Sequence, residues 1–316
     1  MDLDRNLNVA FPAAPSVLHG FYADPNLIEF DGVYYIYPTT DGLDDWAASS
    51  FSVFSSKNLV DWHDHGTIFS VADDTTWAHG FAWAPAVSRR DGQFFLYYTA
   101  DQDNVGVAVA PTPLGPFVDS GKPLVASGQF SGRAIDPSVF IDDDGSHYLL
   151  WGNTVAHGVR LNEDMVSFDP SGVTSWDLPG FREAAWMHRR GATYYLSWSQ
   201  NDTRDQDYCV HYATSSSPTG PWDRQGELLS MHPDRGILGT GHHSIVRVPG
   251  TDDWLIAYHR FSIPDGDGHR REVTIDRLRH ADDGRLEAVI PSTSPIHIDL
   301  FRPTTNTPET THDNER

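Results

Sequence analysis

This 316-residue chain predicts an all-β fold, a single-domain five-bladed β-propeller, on three observations. A strand–turn–strand unit recurs five times. Helical 3.6-residue periodicity is nearly absent. The repeat is far longer than the 8–12-residue turn spacing of a sandwich.

The copies are NLIEFDGVYYIYPT from Asn26, AVSRRDGQFFLYYT from Ala86, SVFIDDDGSHYLLWG from Ser138, AAWMHRRGATYYLSWS from Ala184 and SIVRVPGTDDWLIAYH from Ser244. Their starts lie 60, 52, 46 and 60 residues apart (26→86→138→184→244). Each joins an apolar strand to an aromatic one through Asp-Gly, Arg-Gly or Pro-Gly, the signature of a hairpin. A third strand follows in VGVAVAPTPLGPF and YCVHYATSSSPTGPW. The propeller is expected over residues 20–301, after an N-terminal extension at 1–19 and before a disordered Thr/Pro-rich tail at 302–316.

Composition narrows the partners. The charge is 22 − 44 = −22, with a pI near 4.9, which disfavours nucleic acid and anionic membranes and suits a neutral substrate. The single cysteine, Cys209, rules out an intrachain disulfide or a Cys-based zinc site, and its strand context marks it as a small buried hydrophobe. MDLDRNLNVAFPAAP lacks the basic and apolar regions of a signal peptide, so a cytoplasmic location is expected. No apolar run approaches the roughly 20 residues of a membrane span.

In a propeller the residues just before each innermost strand converge on the channel mouth. Here they are Asp24 in YADP, Trp83 in FAWAPA, Asp136 in AIDPS, Glu183 in FREAA, and His242 with His243 in GTGHHS. Three blades are thus expected to set a carboxylate at one structural position. An Asp before Pro is ordinary turn chemistry when met alone. Three acids in phase with the repeat, aimed at one axis, would repel one another without a task. Glycoside hydrolysis supplies one: an acid protonates the leaving oxygen while a carboxylate activates water. A third acid can orient the general acid and raise its pKa by like-charge repulsion. Phe21, Trp46, Trp83 and Trp186, expected at the rim, suit stacking on sugar faces.

These motifs resemble family 43 glycoside hydrolases, five-bladed propeller enzymes acting on arabinan and xylan side chains, over nearly the whole chain. The resemblance implies Asp24 as general base, Asp136 as pKa modulator and orienter, and Glu183 as general acid, with inversion at the anomeric carbon. It also implies His242 beside a central-channel Ca2+, and Arg271 as a substrate-binding arginine with Arg270 in reserve. Two departures stand out: Ala86 follows Pro85 where members carry an acid, and blade four reads REAAWMH where Glu-Gly-Pro is usual. Glu163 and Asp164, the rival acids, fall in a turn by pattern.

The chain ends at the propeller, without the C-terminal sandwich of the large β-xylosidases. The expectation is therefore an exo-acting α-L-arabinofuranosidase on arabinan- or arabinoxylan-derived oligosaccharides. A β-xylosidase or a galactan- or galactofuranose-active enzyme is the alternative on the same fold. A non-catalytic carbohydrate-binding propeller is the alternative from another class.

Overall fold

The computed structural model describes residues 16–292 and Ile296. The 302–316 tail and most of the N-terminal extension lie outside them. Five antiparallel sheets, each with its strands in chain order, stand around one axis: four have four strands and the last has three. The inner strands are Tyr22–Phe30, Trp83–Arg90, Ser138–Ile141, Glu183–Arg190 and Gly241–Arg247, and each packs on the inner strands beside it. The five-bladed expectation holds.

Local chemistry explains the hairpins. Asp31 and Gly32 take φ of 53° and 83°, and Asp91 and Gly92 take 50° and 77°. Two positive φ values in a two-residue loop match the twist of the flanking strands, and Asp-Gly reaches that conformation at low cost. Apolar side chains pack within and between blades. Phe51, Phe69 and Tyr98 fill the space between blades one and two, and Leu150, Leu196 and Trp198 that between blades three and four.

A second repeat lies inside the first. Each inner strand enters the channel through one residue in the left-handed region: Asp24 (φ 51°), Ala84 (44°), Asp136 (56°), Ala184 (59°) and His242 (44°). The ladder register shifts there in blades one, two, four and five, as a β-bulge does, turning the side chain before the bulge and the one in it toward the channel mouth. This corrects the expected alignment. Asp24, Asp136 and His242 are themselves the left-handed residue, whereas Trp83 and Glu183 sit one residue earlier, so the three acids share a mouth and not a position.

Side chains stitch blade to blade at these bulges. The Ala84 N–H donates to Thr39 Oγ1 (2.7 Å), Asp136 N–H to Thr99 Oγ1 (2.9 Å), His242 N–H to Ser199 Oγ (2.9 Å) and Asp24 N–H to His259 Nδ1 (3.2 Å). Each acceptor lies near the end of the second strand of the preceding blade. Blade three ends instead at Gly152, which has no side chain, and the Ala184 N–H donates to the Asp136 carboxylate.

The ring closes between blades five and one without a shared strand. Ser244 Oγ donates to the Pro25 carbonyl (2.7 Å) and accepts from the Leu27 N–H (2.8 Å), while Val17 N–H reaches the Val273 carbonyl (2.9 Å). Removing the Ser244 hydroxyl strands a buried N–H, which costs about 1–3 kcal/mol. Ser244→Ala is expected to lower the urea midpoint by that amount at an unchanged denaturant slope; an unmoved midpoint would show that the closure lies elsewhere.

Candidate active site

A cavity of about 230 Å³ opens at the channel mouth, lined by Asp24, Asp136 and Glu183 together with Trp46, Trp83, Arg133, Arg182, Arg204 and Arg271. All three expected acids and Arg271 therefore meet in one place, with His242 beside them.

Asp24 is buried inside a cluster of nitrogen atoms. Its Oδ1 lies 3.0 Å from His259 Nδ1, 3.2 Å from His242 Nδ1 and 3.3 Å from Arg271 Nη1. Burial works to raise its pKa, but His242, Arg271 and His259 outweigh it and hold the carboxyl well below the usual range. Burial lowers both histidines, His259 to about 4, so the charge that persists at neutral pH is Arg271. That guanidinium is fixed in turn by buried Asp41, with Nε to Oδ2 at 2.8 Å and Nη2 to Oδ1 at 3.1 Å, and by Thr203 Oγ1 at 3.2 Å.

Glu183 meets the opposite environment. Burial raises its pKa, and the charge of Asp24 adds to the rise; Tyr208, donating to Oε1 at 2.9 Å, and Arg182 pull it part of the way back. Asn153 Nδ2 donates to the other oxygen at 2.8 Å. Asp136 is pushed well above its usual value by burial and then by Glu183 and Asp24. Glu183 and Asp136 stand close enough to repel, and the charge of Asp24 raises both. The site thus sets one ionised carboxylate against two carboxyls biased toward their protonated forms, the division of labour of a base and an acid.

The aromatic residues divide. Trp46 and Trp83 line the cavity and brace each other: Trp83 Nε1 donates to the Trp46 carbonyl (2.7 Å), and Trp46 stacks on His269 with ring centres 4.2 Å apart. Phe21 does not line it; its ring lies over Gly42, where a Cβ would come within 2.6 Å of it. Trp186 does not line it either. It falls beyond the bulge, faces the far end of the inner strands and packs in the cluster around Tyr195 and Trp254. Arg270 pairs with Asp267 at the surface, 2.8 Å away. Asp164 is exposed in its turn and accepts from Ser167.

His242 meets a stringent test as a calcium ligand. Calcium takes six to eight oxygens. The cavity beneath Asp24 and Asp136 that His242 also lines is about 20 Å³. Several of its polar groups are already engaged, with Asn26 Oδ1 accepting from Val87 N–H, Ser138 Oγ donating to the Ala185 carbonyl and His243 Nε2 paired with Ser197, while the buried His243 Nδ1 has no partner. These residues offer too few free oxygens for a cage of protein ligands alone, and no step below passes through a metal.

Sequence reasoning passed over His259, Asp41, Asn153, Tyr208 and the arginines at 133, 182 and 204. A signal existed for His259: four of the five repeat copies end on Thr39, Thr99, Ser199 and His259, the polar side chains that accept from the bulges.

The glycosyl hydrolases family 43 model matches residues 14–286. A β-D-galactofuranosidase of Aspergillus niger is 34% identical over 291 residues, covering 87% of this chain and 84% of the relative. Xylosidase/arabinosidase 43A of Humicola insolens is 31% identical over 338 residues, covering 86% and 98%. Among solved structures, a thermostable family-43 glycoside hydrolase superposes with a TM-score of 0.79 at 26% identity, covering 90% of this chain and 97% of its own. A β-xylosidase/α-arabinofuranosidase from a compost microbial metagenome gives 0.74 at 29% identity, covering 90% and 98%.

Two measurements check this geometry. Tyr208→Phe removes a donor that favours ionised Glu183, so the Glu183 pKa should rise further in a carboxyl NMR titration; a fall would break the assignment. Melting temperatures in millimolar Ca2+ and in EDTA should agree, since an ion bound to the fold would raise the first. A calcium-dependent rise of several degrees would place an ion in the channel.

Proposed function

We propose, since this chain belongs to family 43 of the glycosyl hydrolases, that it releases terminal α-L-arabinofuranosyl residues from arabinan- or arabinoxylan-derived oligosaccharides, with inversion. The carrying observation is the electrostatic split within one cavity, with Asp24 held ionised by Arg271 and Glu183 raised by burial.

In this reading Asp24 takes a proton from water as the water attacks the anomeric carbon. Glu183 gives its proton to the glycosidic oxygen as the carbon–oxygen bond breaks, and the leaving sugar departs as an alcohol. Both carboxyls then exchange protons with solvent. Asp136 acts by position: it accepts the N–H of Ala184, the residue after Glu183, and so fixes the peptide that aims the acid. Trp46 and Trp83 offer faces for sugar rings. A cavity of about 230 Å³ is smaller than the roughly 300–1,000 Å³ of drug-sized sites, which supports an exo-acting enzyme enclosing one residue.

The choice of arabinofuranose draws support from relatives named arabinoxylan arabinofuranohydrolase in Paenibacillus polymyxa and Bacillus subtilis. The Aspergillus relative favours a second reading, terminal galactofuranose, a five-membered ring with a longer exocyclic arm.

A panel of p-nitrophenyl α-L-arabinofuranoside, β-D-xyloside, β-D-galactoside and β-D-galactofuranoside tests both readings. The arabinofuranoside should be turned over fastest, and a lead for the galactofuranoside would select the second reading. With an ordinary sugar leaving group, Glu183→Ala should lose about 10²–10⁴-fold in kcat, the usual worth of a general acid. NMR of the first-formed anomer should show inversion, and retention would remove Asp24 from its role.

A further inference from the structure

The wall of the cavity beside Glu183 is cationic, in a chain whose net charge is −22. Arg133, Arg182 and Arg204 line it with one carboxylate, Asp202, among them. Arg204 grips Asp202 through Nε and Nη2 at 2.6 and 2.7 Å, and Arg182 Nη2 reaches it at 3.0 Å. Arg182 Nε lies 3.9 Å from Glu183 Oε2 and makes no hydrogen bond. Arg133 donates to the Gln102 carbonyl and lies over Trp83, with its guanidinium carbon 5.9 Å from the ring centre. No carboxylate among the described residues comes within ion-pair distance of Arg133.

Three guanidinium charges against one carboxylate leave a surplus of two, and the neighbouring Asp136 and Glu183 are biased toward neutrality. Hydrogen-bonding neutral hydroxyls does not call for such a surplus. Like charges gathered at one cavity repel one another, though water screens the exposed Arg204, and an arriving anion relieves that repulsion. Planar guanidinium groups match a carboxylate with paired N–H···O bonds. The Nη1 groups of Arg133, Arg182 and Arg204 make no hydrogen bond to the described residues and remain available.

We propose that this wall is an anion site on the leaving-group side, and that the preferred oligosaccharide carries a uronic acid carboxylate on the sugar next to the scissile bond. The inference rests on the glycosidase reading above, because that reading puts the leaving group beside Glu183. The arabinofuranosyl residue sits toward Asp24 and Arg271. The uronate faces Arg133 and Arg204, with Arg182 between it and the acid. The protein's negative field does not bar the encounter, being screened beyond about 8 Å at physiological salt.

The experiment compares two arabinofuranosylated oligosaccharides that differ only in a carboxylate, or its reduced primary alcohol, on the sugar adjoining the cleaved bond. At ~50 mM NaCl the acid should show kcat/KM at least about tenfold higher, with the gap narrowing at ~500 mM as salt screens the contact. In Arg133→Gln and Arg204→Gln, shown to be folded by circular dichroism, the acid-to-neutral ratio should fall to within about twofold of one. A wild-type ratio of one or less, with the neutral compound hydrolysed, would overturn the anion site and leave the glycosidase reading standing. A ratio the variants do not change would likewise overturn it. Failure to hydrolyse either compound would remove the arabinofuranosidase reading and the anion site built on it.

Discussion

The Arg271 guanidinium holds this site together. It is buried, gripped by Asp41 from blade one and hydrogen-bonded to Thr203 from blade four, and it lies 3.3 Å from the carboxylate of Asp24. A buried ion pair is costly to assemble and more costly to leave half made, about 3–5 kcal/mol when one partner is removed. Here the expense has a chemical return. Three oxygens orient the cation, and the cation keeps Asp24 ionised in surroundings that would otherwise protonate it. The opposite bias at Glu183 follows from the same arrangement, because an ionised Asp24 raises its neighbours.

The bulges make this arrangement possible. A regular strand alternates its side chains between two faces. One extra left-handed residue at the channel entrance lets successive side chains, such as Trp83 and Ala84 or Glu183 and Ala184, emerge at the mouth. Asp adopts positive φ more readily than most residues, so Asp24 and Asp136 suit the bulge on conformational grounds as well as chemical ones. Glu183 has a longer arm and stands one residue back, at a position with ordinary strand geometry.

Much of this was legible in the sequence, and the limits have physical causes. The five copies and their Asp-Gly hairpins fix blade number and order, since period-two strands and turn chemistry are local properties. Asp24, Asp136 and Glu183 were found because they keep phase with the repeat, and Arg271 through the resemblance of its segment. Their one-residue offset was hidden, because a bulge leaves no mark in an alternating apolar pattern. Trp186 misled for the same reason: past the bulge its side chain turns to the far end of the channel. Phe21 looked free to stack on ligand, but it is spent on Gly42. Arg133, Arg182 and Arg204 were passed over because they sit in loops or at a strand edge, where neighbours in space are remote in sequence.

The closure between the first and last blades gives the molecule an unusual vulnerability. An apolar cluster joining Leu27 and Ile36 to Leu255 and Val273 packs across it, and Ser244, His259, Arg271 and Asp41 add the polar contacts, the last three also building the surroundings of Asp24. The polar clasp of the ring and the setting of the base are therefore one structure. Any excursion that parts blade five from blade one, however brief and however little it disturbs the sheets, releases the cation from Asp24 and disarms the site. Catalytic competence thus reports on the integrity of the seam, while a spectroscopic signal from the blades reports on the sheets.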